Sequence, residues 1–343
     1  QTINLISYKE NIMRKLLLGT TALAAAATLS ANALADVSIS GYYEWRYESR
    51  SSQITASDGT TFNTDSEVKM TFSNKTDSGL DVSMKTELLN DSGDSRVQES
   101  ALTVSGGFGK LILGDDDGIN DIIPVAANDL IGEEMYYTSG AGTAGTDHSL
   151  GIKNGDMANL AGDSPKVVYI LPPMGGLTAG VSHTNASAAG NADTTQYGLA
   201  YSMSAGGASV TIAGATGTTE VAGTTDKDSQ VIGVKVSAGN ITAAISQATL
   251  EDATNNEEGT AAAISFKVSD NLKIGVFTSE VEDDHTSLTT HEEYTNTGGE
   301  INYTIAPGLN AIINVEDYDY KVGSETGTND NGTVSKLTIK ATF

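Results

Sequence analysis

DVSISGYYEWRYE, residues Asp36–Glu48, alternates with a period of two. Val37, Ile39, Tyr43, Trp45 and Tyr47 share one parity; Ser38, Ser40, Glu44, Arg46 and Glu48 share the other. Successive side chains of a strand point to opposite faces, so the segment reads as a β-strand with one apolar side and one wet side. The pattern recurs to the end of the chain. Val68, Met70 and Phe72 alternate with Glu67, Lys69 and Thr71; Leu80, Val82, Met84 and Leu88 with Asp81, Ser83, Lys85 and Glu87. Tyr197, Leu199 and Tyr201, then Ile264, Phe266 and Val268, then Ile301, Tyr303 and Ile305 repeat it. The last segment sets Leu337, Ile339 and Phe343 against Lys336, Thr338 and Lys340. Long amphipathic helical stretches are absent.

The connections fall into two sets. One is tight and rich in turn residues: Lys75–Ser78, Gly106–Gly107, Ala205–Gly207, Ala238–Asn240, Asp270–Asn271 and Ala306–Gly308. The other is longer and acidic: Glu251–Glu258, Glu280–Glu293 and Lys321–Gly332. Short turns at one end and long polar loops at the other describe an antiparallel transmembrane β-barrel, and the phasing gives about sixteen strands. The segments near 94–114 and 165–185 are the hardest to phase. Charge placement agrees. A lipid-facing Lys or Arg costs roughly 2–4 kcal/mol at the midplane, and Arg46, Lys69, Lys85, Lys235, Lys267, Lys273, Lys336 and Lys340 all fall on the polar parity. Arg96 is the exception, near a rim. A soluble β-sandwich would also alternate, which leaves a secreted β-rich adhesin as an alternative. The terminal Phe343 on an alternating last strand favours the barrel, as an insertion signal for the barrel-assembly machinery.

Upstream of Asp36 lies an export address. Arg14 and Lys15 form a basic start, Leu16–Leu29 is apolar, and Ala33–Leu34–Ala35 carries small residues at the cleavage positions. Residues 13–35 read as a signal peptide, 1–12 as an upstream extension and 36–343 as the barrel. No later stretch supplies the ~18 consecutive apolar residues of a spanning helix.

The formal net charge is −25. The leader holds Lys9, Arg14 and Lys15 against Glu10, so its removal would leave −27. Such a surface does not suit nucleic acid. Zero cysteines exclude disulfides, thiolate metal sites and a Cys nucleophile. The four histidines, His148, His183, His285 and His291, form no motif with a nucleophile, and no enzyme activity is expected.

Two features point to function. The first is the segment between Gly114 and Pro165, too long for an ordinary connection. Its first half carries Asp115, Asp116, Asp117, Asp121, Asp129, Glu133 and Glu134, with apolar anchors at Ile122, Ile123, Val125, Leu130, Ile131, Met135, Tyr136 and Tyr137. A loop waving in solvent would not need such anchors, so residues 114–164 read as a loop folded into the barrel and narrowing it. The second is an inward basic set, Arg46, Lys69, Lys85, Lys336 and Lys340, expected to form a basic wall opposite that acidic loop and so to set a transverse field. Asp115, Asp116 and Asp117 lack the ligand spacing of an EF-hand, yet they offer carboxylates for a weak calcium site.

These residues carry a resemblance. Asp36–Gly41, Thr76–Leu80, Gly106–Leu111 running into Gly114–Asp115, and Pro165 with Tyr169 resemble the general diffusion porins of alphaproteobacteria, the Rhodobacter-type Gram-negative porins. The resemblance spans the chain after Ala35. It implies a sixteen-stranded barrel with an inward third loop, a homotrimer, and loop acids facing basic wall residues, with calcium on those acids in some relatives. This chain departs in keeping only Arg46, Arg50 and Arg96 after Ala35. The expected function is an outer-membrane diffusion channel for small hydrophilic solutes and ions. It is cation-preferring, needs no cofactor, and contacts outer-membrane lipid and lipopolysaccharide. A solute-specific porin is the alternative, weakened because the aromatics fall mostly on the lipid parity.

Overall fold

The structure is a computed structural model describing residues 36–53, 58–91, 94–123, 126–127, 130–131, 160, 164–185, 192–220, 225–253, 256–284, 291–322 and 329–343. The expected extension at 1–12 and signal peptide at 13–35 lie outside the described residues. The strands are β1 (Asp36–Ser52), β2 (Gly59–Lys75), β3 (Asp81–Asp91), β4 (Asp94–Gly106), β5 (Gly109–Asp115), β6 (Pro165–Ile170), β7 (Leu177–Thr184) and β8 (Asp193–Ala205). They continue as β9 (Ala208–Glu220), β10 (Lys227–Ala238), β11 (Ile241–Glu251), β12 (Asn256–Ser269), β13 (Leu272–Asp284), β14 (His291–Ala306), β15 (Leu309–Val322) and β16 (Asp330–Thr342). Among the described residues a short helix, α1 (Ile119–Ile122), follows β5.

Each strand pairs antiparallel with its chain neighbours, and β16 closes on β1, so the sixteen strands form one closed barrel. Closure satisfies every sheet edge, as an environment without water requires. The seam runs from Tyr42 opposite Thr342 to Ser52 opposite Gly332. It is finished by reciprocal backbone bonds between Gly41 and Phe343, both 3.0 Å, so the terminal Phe343 is the last rung of the closing ladder.

The alternation separates two faces. Ile39, Tyr43, Tyr197, Leu199, Ile245, Ile264, Val276, Ile301 and Val315 are exposed on the outside. Their neighbours of opposite parity are buried and mostly polar: Glu44, Gln196, Ser246, Ser265, Glu300, Asn314 and Glu316. This inverts a soluble protein, as a lipid-facing outer band demands. At one end the strands join through tight turns. Gly239 (φ 58°) and Gly308 (φ 77°) take left-handed backbone there, which a side chain would strain.

The other end differs from expectation in one respect. The acidic stretches at 251–258, 280–293 and 321–332 are only partly loop: β12 begins at Asn256, β13 runs to Asp284, β14 starts at His291, and β15 extends to Val322. Strands here reach 13–16 residues, whereas crossing the hydrocarbon needs about 9–11. The ladder continues past the apolar band because backbone pairing does not depend on the side chains being greasy. Glu280 and Glu282 on β13 are exposed on the outer parity and mark where the band ends.

The Arg96 exception also has a structural reason. A bulge lies between the pairs Glu87–Glu99 and Leu88–Val97. It shifts the register by one, so Arg96 pairs with Leu89 in the ladder and the parity count changes at that point.

Candidate functional site: the charged inner wall and the β5–β6 connection

Register alone assembles the charged wall. Lys340 on β16 stands opposite Glu44 on β1, Lys69 on β2 opposite Glu87 on β3, and Glu87 opposite Glu99 on β4. Opposed residues on one face lie within side-chain reach. Lys340 Nζ is 2.5 Å from Glu44 Oε1, and its ammonium sits 4.7 Å above the Tyr42 ring. Arg46 pairs with Glu44 and with Asp65 Oδ2 at 3.3 Å. The Tyr42 hydroxyl donates to the same Asp65 oxygen at 3.2 Å. Lys69 Nζ lies 2.5 Å from Glu87 Oε1 and 3.6 Å from Glu67 Oε1. Lys85 Nζ reaches Glu87 Oε1 at 3.2 Å, Glu99 Oε2 at 2.6 Å and Asp116 Oδ1 at 2.9 Å. The result is a run of alternating charges across five strands.

The β5–β6 connection leaves this wall at Gly114. There φ is 137°, and a Cβ would stand 2.4 Å from Ser100 O, so only glycine lets β5 approach β4 so closely. Asp116 is buried, accepts from Lys85, takes the Asp117 amide on its Oδ1 at 3.0 Å, and receives Lys166 Nζ on its backbone oxygen. Helix α1 then packs on the wall. Ile119 and Ile123 are buried with Ala101, Ile112 and Val168, and the Ile119 amide donates to Ser182 Oγ at 3.1 Å. The wall is carved for them: a Cβ on Gly180 would meet Ile119 Cδ1 at 2.5 Å.

Further along, Ala127, Leu130 and Ile131 are buried against Ala213, Ala244, Ala261, Ala263 and Phe277. These wall residues alternate with the exposed Ile212, Ile245, Ile264 and Val276, so the contact is on the inner face. Ala127 N–H donates to Ser246 Oγ at 3.0 Å, and Lys273 Nζ donates to Leu130 O at 3.1 Å. Leu160 rejoins the wall at a cluster that includes Leu250, Tyr294, Tyr318 and Tyr320.

Of the expected acidic residues, Asp116 touches the basic set directly, Asp115 ends β5, and Asp117 and Asp121 are exposed. Asp129, Glu133 and Glu134 lie outside the described residues, as do the anchors Val125, Met135, Tyr136 and Tyr137. Ile123, Leu130 and Ile131 are buried as anchors should be, whereas Ile122 is exposed. Of the expected basic residues, Arg46, Lys69, Lys85 and Lys340 do share one wall, and Lys336 is buried on β16.

This departs in part from the sequence reading. The wall is not basic, because each of the four cations is met by carboxylates of the wall itself: Glu44, Asp65, Glu67, Glu87 and Glu99. These stand on the same wet parity as the cations, and that parity was the signal available for finding them. The aromatics do keep mostly to the lipid side, as parity predicts, with a minority inside. Tyr42, Tyr294, Tyr318 and Tyr320 take inner-face positions, where Tyr294 and Tyr318 stack at 6.4 Å and Tyr318 donates to Asp330 at 3.0 Å. Among the described residues, Glu99, Asp116 and Asp117 bring carboxylate oxygens within 4.8 Å of one another, so Glu99 takes the place expected of Asp115.

A profile of the Gram-negative porin family matches residues 19–335, and the chain belongs to that family. No curated protein matches it in sequence. Among solved structures it is similar to the trimer form of OmpT, an outer-membrane protein of Vibrio cholerae, at 14% identity and a TM-score of 0.66, covering 90% of this chain and 99% of that one. It is similar to an anion-selective porin from Comamonas acidovorans at 16% identity and a TM-score of 0.62, covering 90% and 100%. A mutant porin of Rh. blastica follows at 13% identity and a TM-score of 0.60, covering 90% and 100%. At these identities the likeness establishes the fold.

Proposed function

We propose that this Gram-negative porin is a passive, cation-preferring channel for small hydrophilic solutes. Its location in the outer membrane and its channel character follow from the family and the barrel. The ion preference rests on one observation. Along the charged wall among the described residues, Glu44, Glu48, Asp65, Glu67, Glu87, Glu99, Asp116 and Asp330 outnumber Arg46, Arg50, Lys69, Lys85, Lys166, Lys336 and Lys340. The surplus sits on the side that a reading of cations alone would make anion-attracting. An acidic lining raises the local cation concentration. Selectivity does not travel with fold, so the Comamonas relative's anion preference carries no weight here.

In this reading residues 114–164 fold across the lumen and set the exclusion limit. We assign Asp115, Asp116, Asp117, Asp121, Asp129, Glu133 and Glu134 to the acidic side of the constriction and Arg46, Lys69, Lys85, Lys336 and Lys340 to its basic side. The burial of Ile119, Ala127, Leu130 and Ile131 on inner-face residues supports it. The chain acts as a homotrimer, as the trimer form of OmpT does, in contact with lipopolysaccharide and inserted by the barrel-assembly machinery with Phe343 as its signal. Solutes move down their gradients without a covalent step. Among the described residues, His183 bonds the Thr195 hydroxyl and His291 bonds Asp284, and both pairs are exposed. The inner tyrosines raise a solute-specific channel as a second reading. Tyr294, Tyr318 and Tyr320 are packed in a closed cluster rather than lining open space, which favours the sieve.

The test is the reversal potential of purified protein in a planar bilayer under a potassium chloride gradient. A potential of the sign set by potassium is expected, and one set by chloride would refute the preference. Saturable flux of a single solute class would replace the sieve with a binding channel.

A further inference from the structure

The carboxylates at the root of the β5–β6 connection already hold a cation, and it is a side chain. Lys85 Nζ has carboxylate oxygens from three separate segments around it: Glu87 on β3 at 3.2 Å, Glu99 on β4 at 2.6 Å and Asp116 beyond β5 at 2.9 Å. Glu99 and Asp116 are buried, so their charges have little water to fall back on. The three donors of an ammonium match three acceptors, and the point charge of lysine shares the compact geometry of a bound ion.

Calcium on these loop acids is what the resemblance to Rhodobacter-type porins suggests. The residues present do not fit it while Lys85 is in place. Hard divalent cations take six to eight oxygens. Here the converging set of Glu99, Asp116 and Asp117 spends one oxygen each of Glu99 and Asp116 on the ammonium, and Asp116 Oδ1 also takes the Asp117 amide. A divalent cation in the same cage would stand beside the Lys85 ammonium and be repelled by it, and two of the three converging carboxylates, Glu99 and Asp116, are already turned to that ammonium.

We propose that Lys85 is a built-in counter-ion that fixes the start of the β5–β6 connection to the wall. It does the work a divalent cation would do with the same carboxylates, so the pore keeps its geometry when divalent cations are withdrawn. Lys85 is a positioning residue: it acts through Asp116, the first buried residue of the connection. Lys166, which donates to the Asp116 backbone oxygen, holds the same residue from β6 and leaves the side chain to Lys85. This inference rests on the reading of residues 114–164 as the pore constriction.

The test compares the full-length wild-type barrel in detergent with Lys85→Met, Lys85→Arg and the double variant Lys85→Met/Glu99→Gln. Equilibrium dialysis with radioactive calcium counts ions per protomer, and single-channel recording with calcium or a chelator reads the constriction. The expected result is one additional calcium per Lys85→Met protomer relative to wild type, absent again in the double variant and in Lys85→Arg. Wild-type conductance should be the same in calcium and in chelator. Lys85→Met conductance should rise in chelator and return in calcium. Equal calcium stoichiometry in wild type and Lys85→Met, or a wild-type conductance that responds to the chelator, would overturn the proposal. Dialysis reads the cage without any channel. If Lys85→Met gains calcium but its conductance never changes, the constriction reading fails while the cage reading stands.

Discussion

The inner face of β16 and β1–β4 and the inner face of β9–β13 secure the same connection by opposite chemistry. On the first, Lys85, Glu99 and Asp116 hold its root through charge-assisted contacts of 2.6 and 2.9 Å. On the second, Ala213, Ala244, Ala261 and Ala263 make a shallow apolar seat for Ala127, Leu130 and Ile131. Charge gives direction and register but requires every partner, because a buried charge left alone is costly. Apolar burial tolerates small displacements but needs volume, which alanines provide by giving up their own. The described part of the connection is thus fixed in direction at its root and held down on the inner wall further along.

The comparison breaks most visibly if both anchors are removed. Deleting residues 116–159, which removes Asp116 as well as Ala127, Leu130 and Ile131, should raise single-channel conductance roughly two-fold, since conductance follows the narrowest cross-section of a pore. It should also admit larger sugars in a liposome-swelling assay. Unchanged values would mean that the connection lies outside the conducting path. Next in size is an insult to the apolar seat alone. Ala261→Glu places an unpartnered carboxylate against Leu130 and Ile131, a change worth about 2–4 kcal/mol against the seated arrangement. Single-channel traces should become noisy while heat resistance of the barrel is kept; a quiet trace would say the seat is dispensable.

The charged wall is then tested by Glu44→Gln. Lys340 and Arg46 both lose their buried partner, so the cation preference should fall, visible as a smaller reversal potential in the same salt gradient. The barrel should lose about 1–3 kcal/mol, the worth of hydrogen bonds to a charged group. The smallest effect is expected at the rim, away from both walls. His291 lies beyond the outer carboxylates Glu280 and Glu282. Its hydrogen bond to Asp284 at 2.8 Å raises its pKa above the ordinary 6.5, with Asp284, Glu282 and Glu293 adding to the rise through their charge. Stability from a raised histidine is present below the unfolded value and lost as pH rises through the folded one. The contact should therefore weaken above about pH 6.5 and cost at most a few tenths of a kcal/mol, as exposed pairs do. NMR titration of His291 would check it, and a value at or below 6.5 would remove the contact.

The barrel was legible because its evidence is local and repeated. Parity alone separates Ile39, Tyr43 and Trp45 from Ser40, Glu44 and Arg46, and turn chemistry marks Gly239 and Gly308. The short strands β5, β6 and β7 were harder because too few residues carry the alternation. At the loop side β12, β13, β14 and β15 run further than polarity suggests, since polarity marks the edge of the lipid and not the end of the ladder. Arg96 read as an exception because a bulge leaves no mark on composition.

The wall shows the limit most clearly. Parity put Lys69, Lys85 and Lys340 inside and put Glu44, Glu67 and Glu87 beside them, yet it did not say who meets whom. Partnership depends on register, and register depends on how β16 closes on β1 and how β4 bulges against β3. The sequence by itself determined an exported chain of alternating strands, a barrel with one greasy outer face, and an acidic connection with apolar anchors. Those follow from the two-residue period and from the identity of side chains. Only the tertiary structure decided that the cations are interleaved with carboxylates, that Glu99 joins Asp116, and that Lys85 stands among them. Cross-strand neighbours are far apart in the chain, and only the closed ladder brings them within the few ångströms over which such charges act strongly.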